Sequence, residues 1–110
     1  MSKIVIEIQK YERTPIGLVF PDGSVGEVIP KSVALTENDA LLAKQHDLSG
    51  KRARREIPDS QYQIEYMKTF LDFSPETEDK FKALKTQELD QFFDKLIEAK
   101  KTLNEEAKKN

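Results

Sequence analysis

The sequence predicts an α+β fold: a small N-terminal antiparallel β-meander followed by a bundle of about four helices. Three observations carry this reading. The apolar period is two before Pro30 and helical after it. A Pro21-Asp22-Gly23-Ser24 turn separates two short apolar runs. Helix-start signals then recur at Thr36, Pro58, Ser74 and Thr86. The 110 residues suit a single domain, with a β-rich part over 1–30, a helical part over 31–103, and a polar tail over 104–110 expected to fray.

The elements follow in order. Ile4, Ile6 and Ile8 alternate with Val5, Glu7 and Gln9, which puts the isoleucines on one face of a first strand. Ile16 to Phe20 and Val25 to Ile29 form a hairpin across the turn, and Pro30 ends the sheet. Two or three strands alone are marginal, so a helical layer must cover them. Thr36-Glu37-Asn38-Asp39 opens a first helix running to about His46, with Leu35 as an outside staple and Asp47-Leu48-Ser49-Gly50 as its stop. Lys51 to Arg55 holds four cations and no large apolar side chain, the signature of an exposed loop. Pro58-Asp59-Ser60 caps a second helix from about Gln61 to Asp72. Ser74-Pro75-Glu76-Thr77 starts a short third helix that offers Phe81 and Leu84 to the core. Thr86 begins the last and longest helix, where Leu89, Phe92, Phe93, Leu96, Ile97 and Leu103 recur at helical spacing.

Composition removes more functions than it suggests. There is no cysteine, so disulfides, thiolate metal sites and thiol nucleophiles are excluded. The single histidine, His46, excludes a metal site that needs two imidazoles. GxSxG, a phosphate-cradling glycine loop, HExxH and CxxC are all missing. Asp39, Asp47, Glu76, Glu78 and Asp79 read as caps and dipole partners, and no catalytic pair of carboxylates stands out. The sequence thus points to a non-enzyme without cofactor or metal. No stretch is apolar enough to span a membrane, and a signal peptide's apolar core is missing from MSKIVIEI. A small, soluble, intracellular domain is the expectation.

Two features remain for partner binding. Lys51, Arg52, Arg54 and Arg55 are candidate contacts to a polyanion, each phosphate contact adding a salt-dependent increment of affinity. Against nucleic acid stand ten acids and four bases over residues 56–94, and a loop with no aromatic residue to stack on bases. The second feature is aromatic. Tyr62, Tyr66, Phe70, Phe73, Phe81, Phe92 and Phe93 concentrate within 32 residues. Most must be core, but any surplus on the surface forms an adhesive patch, with Tyr62, Tyr66, Phe70, Phe73 and Phe92 as the candidate contact residues. Phe92 and Phe93 point about 100° apart on a helix, and Phe93 shares the tighter apolar cluster, which leaves Phe92 as the outward member.

The second half carries a resemblance. Tyr66-Met67-Lys68-Thr69-Phe70-Leu71-Asp72-Phe73 closes a helix, Ser74-Pro75-Glu76-Thr77-Glu78 opens a short one, and Leu84-Lys85-Thr86-Gln87-Glu88-Leu89-Asp90-Gln91-Phe92-Phe93 leads into an amphipathic one. This order resembles the tail assembly chaperones of long-tailed bacteriophages over about residues 60–103, and in outline over the N-terminal strands. The arginine-rich segment 51–55 has no counterpart in that pattern. The resemblance implies a non-enzymatic holdase that binds the tape measure protein, helps recruit tail tube protein, acts in the host cytoplasm and is absent from the virion. It also implies that a longer, frameshifted form accompanies many members. A holdase for an amphipathic helical client needs an apolar groove, high surface charge and no catalytic residues. Met67, Phe70, Phe73, Phe81, Phe92 and Phe93 are the side chains available for such a groove. The sequence leaves a homo-oligomer open. The alternatives are a small nucleic-acid-associated or regulatory protein using 51–55, or a structural tail or connector subunit.

Overall fold

A computed structural model describes residues 3–8 and 13–109, with side chains to Thr102. Gln9, the side chain of Leu103 and residue Asn110, which figure in the sequence reading, lie outside what it describes. The fold is α+β, in the order β1 (Ile16–Val19), β2 (Val25–Pro30), α1 (Leu35–Ala53), α2 (Asp59–Lys68), β3 (Leu71–Asp72), α3 (Pro75–Lys82) and α4 (Thr86–Lys109). The strands form one antiparallel sheet in the order β1-β2-β3.

The hairpin forms where the turn residues place it. Gly23 N–H donates to the Phe20 carbonyl at 2.9 Å, and Phe20 N–H to the Ser24 carbonyl at 2.8 Å. Gly23 sits at φ +86°, a conformation that a side chain resists. The Asp22 carboxylate accepts from both Ser24 N–H and Ser24 Oγ, and these bonds hold its pKa below the ordinary carboxylate value. Register pairs Ile16 with Val28 and Leu18 with Gly26. Gly26 is a second required glycine, because a Cβ there would lie 2.9 Å from Cε2 of the Phe20 ring.

The third strand is not the expected one. Residues 3–8 form no strand and lie exposed, with Ile4, Ile6 and Ile8 at 89%, 82% and 90% exposure. The sheet is instead completed by Leu71–Asp72, opposite Pro30 and Ile29. The second helix therefore stops at Lys68, four residues short of the expected Asp72. Thr69 Oγ1 donates to the Tyr66 carbonyl at 2.6 Å, and Lys31 N–H to the Phe70 carbonyl at 2.9 Å. A local side-chain bond ends the helix, and the free edge of β2 claims the next residues.

The first helix departs from expectation at both ends. It begins at Leu35, with Ala34 in the capping position and no side-chain cap; Leu35 is exposed and staples nothing. It also passes through Gly50 and ends at Ala53, with Arg54 in the C-terminal capping position and Arg55 at φ +58°. Lys51 and Arg52 thus belong to the last helical turn, not to a loop. The negative end of the helix dipole favours cations there. The Arg54 guanidinium folds back over Gly50, 3.0 Å from where a Cβ would stand.

α2 opens at Asp59 directly behind Pro58, with no side-chain cap, so Asp59 and Ser60 lie in the helix rather than capping one from Gln61. The starts of α3 and α4 behave as the sequence indicates. Ser74 Oγ accepts from Thr77 N–H at 3.1 Å, with Pro75 at the first position of α3. Glu88 reaches back to accept from Lys85 N–H at 2.8 Å at the head of α4. The helical backbone of α4 extends through Lys109 and takes in residues 104–109 of the polar tail.

Two aromatic clusters organise the core. Phe20, Phe73 and Phe92 surround Phe81, which is fully buried, at centroid distances of 5.8, 5.4 and 5.9 Å. Tyr62 and Tyr66 of α2 meet Phe93, at 6.0 and 5.7 Å, and Phe70 joins this cluster through Tyr66. The adjacent pair Phe92 and Phe93 serves both clusters, one ring each. Their angular separation on α4 allows this.

Candidate functional site

The five candidate contact aromatics do not form one surface. Tyr62 and Phe70 are buried and belong to the core. Tyr66, Phe73 and Phe92 are half-buried against it. Phe93 is buried, as its cluster position required. Phe92 is the more open of the pair but packs on Phe20 at 5.2 Å, so it is a partial rather than a free outward side chain. Its open edge borders a shallow cleft of about 220 Å³ with Val19, Pro21 and Lys95.

The basic segment is largely neutralised by its surroundings. Lys51 pairs with Asp47 at 3.2 Å, Arg52 with Asp59 at 3.2 Å and Arg54 with Glu56 at 3.0 Å. The Arg52 guanidinium also covers the Tyr62 ring, 4.7 Å from its centroid. Hydrogen bonding to Glu56 raises the Arg54 pKa and lowers that of Glu56. Among the described residues, Arg55 alone of the four cations has no ion pair. The acids that pair with the others are close in sequence, but their geometry depends on α1 continuing past Gly50.

The larger concavity lies elsewhere. A groove of about 280 Å³ opens between the start of α1, the 30–33 connection, the end of α2 and Lys100 of α4. Val33, Leu41, Leu42 and Phe70 supply apolar walls, and Leu42 is exposed. Lys100 places its ammonium 4.8 Å from the Phe70 ring centroid, and burial pushes its pKa down. Lys31 stands at the other side, with Nζ 2.6 Å from Asp72. Arg13 donates to the same carboxylate at 3.0 Å. Asp72 is thereby held below the ordinary carboxylate range, first by the Lys31 bond and then by Arg13, against the opposing effect of burial.

Polar contacts fix the walls. Gln45 on α1 donates to Thr69 Oγ1 at 2.7 Å and accepts from the Tyr66 hydroxyl at 3.4 Å. Lys68 bonds the Glu78 carboxylate, which raises the Lys68 pKa and lowers that of Glu78 and ties α2 to α3. A cleft of mixed lining, with Asn38, Gln45 and Thr69 beside the apolar walls and ammonium groups at its margins, accommodates an amphipathic segment bearing carboxylates. The sequence reading did not single out Val33, Leu41, Leu42 or Lys100. The adjacent leucines in an otherwise polar helix were the available signal.

Among the described residues, no helix is long and apolar enough to cross a membrane. The chain matches no family model, and no significant match is found among curated proteins or solved structures.

Proposed function

We propose that this chain is a non-enzymatic holdase of the tail assembly chaperone type. It binds the long helical tape measure protein in the host cytoplasm, keeps it from aggregating, helps recruit tail tube protein, and stays out of the finished particle. The observation that carries the proposal is the groove between α1 and α4, with exposed Leu42 on one wall and Lys100 at the margin. An amphipathic helical client presents apolar side chains at helical spacing and acids beside them, which suits such a cleft. The pairing of Lys51, Arg52 and Arg54 with neighbouring acids favours a protein client over a nucleic acid.

The test is co-expression with a tape measure protein, followed by co-purification. The expected result is a soluble complex that Leu42→Asp weakens about tenfold while leaving the thermal unfolding of the free chain unchanged. Failure to hold the client in solution overturns the proposal. Steeply salt-dependent binding to DNA in its place would establish the polyanion reading.

A further inference from the structure

Among the described residues, two strand-forming surfaces go unpaired. The first is the outer edge of β1. Phe20 N–H bonds the Ser24 carbonyl, and bonded pairs alternate along an antiparallel ladder. Leu18 and Ile16 therefore turn their peptide groups to β2, opposite Gly26 and Val28, and Gly17 and Val19 turn theirs away from it. The order β1-β2-β3 leaves that side at the margin of the sheet. Residues 16–19 themselves carry neither the charge nor the proline that blunts many sheet edges. The outer sheet face beside it is apolar, with Val19 and Val25 at 71% and 67% exposure. A Cβ on Gly17 would touch nothing within 4 Å, so there is room above it.

The second is the segment 3–8. It alternates with period two, is rich in β-branched residues and places Ile4, Ile6 and Ile8 almost wholly in water. Aliphatic exposure of that density marks a contact surface.

Closure of the segment onto its own β1 is disfavoured. The seven intervening residues, 9–15, contain no glycine, asparagine or aspartate, whereas hairpin loops are shorter and depend on those residues. Arg13 bonds Asp72 on β3, across β2 from the open edge, and so draws the chain before β1 toward the far side of the sheet.

We propose that residues 3–8 of one copy add as a strand to the β1 edge of a second copy, reciprocally, in a two-fold dimer. The isoleucine face of the added strand lies beside Val19 and Val25, and its backbone bonds the outward groups of Gly17 and Val19. This inference does not rest on the chaperone reading.

Sedimentation of the full chain across a wide concentration range reads the dimer directly. The joint variant Ile4→Ser, Ile6→Ser, Ile8→Ser alters only side chains that are exposed in the single chain, and Val19→Pro removes an outward N–H that β2 does not use. Both are expected to weaken the dimer about tenfold or more, with helical content unchanged. A mixture of Ile6→Cys and Val19→Cys chains should form an intermolecular disulfide, with no native cysteine to interfere. A parent chain that stays monomeric throughout overturns the proposal, as does a dimer that survives the triple serine variant. If Val19→Pro unfolds, the serine variant and the cross-link decide.

Discussion

Residues 3–8 and residues 62–73 are both dense in large apolar side chains, yet one lies in water and the other builds the core. The difference is not hydrophobicity. Residues 62–73 meet α1 through Gln45, α4 through Phe93 and the free side of β2 through Leu71. Residues 3–8 meet nothing comparable among the described residues. Apolar periodicity states what a segment is able to bury; the availability of a facing surface decides whether it does.

The comparison breaks most visibly at its packed end. Phe81→Ala removes a fully buried ring touched by three others and should cost about 3–5 kcal/mol in denaturant unfolding. Phe93→Ala should fall in the same range, and Phe92→Ala below it, because Phe92 is only half-buried. An equal cost for Phe92 and Phe93 would show that the two clusters are closed to the same degree. Next comes the hairpin. Gly26→Ala crowds the buried Phe20 ring and should cost about 1–3 kcal/mol.

The carboxylates that tie elements together give a pH signature. Asp72 and Glu78 have folded pKa values below their unfolded ones, chiefly through bonds to Lys31 and Lys68. The unfolded chain therefore takes up their protons first as pH falls. Their stabilisation is whole above the ordinary carboxylate range and is lost as pH drops through it toward the folded values. Thermal unfolding measured against pH should fall on that acid side, and Asp72→Asn should flatten the fall. An unchanged slope in the variant would mean that the Lys31 and Arg13 contacts carry no net energy.

Smaller effects sharpen the other end. Replacing Lys51, Arg52, Arg54 and Arg55 by serine should move Tm only slightly, because their ion pairs are exposed and screened. A large drop would identify the end of α1 as a structural clasp. The triple serine variant at Ile4, Ile6 and Ile8 should leave the stability of the single chain unchanged, since those side chains touch no core.

Much of this architecture was legible where local chemistry dominates. Ser74 with Pro75 and the Pro21–Ser24 turn act through bonds within a few residues, so their patterns translate directly into structure. The face assignment of Phe93 followed from its neighbours on α4. Tertiary competition hid the rest. Leu71 and Asp72 continue a helical pattern, but β2 offers unpaired peptide groups that a short strand satisfies. Gly50 resembles a helix stop, yet the helix continues and Arg54 folds over the bare position. The groove at Leu42 and Lys100 joins residues far apart in the chain, and no local spacing announces it.

Hydrogen exchange measured at several protein concentrations tests the central contrast most directly. The packed segment 62–71 should exchange slowly at every concentration. Amides of residues 3–8 should exchange freely in dilute solution and gain protection, together with Gly17 and Val19, as concentration rises. Protection of residues 3–8 that is already complete in the most dilute sample would contradict the account, because the segment would then be paired within its own chain.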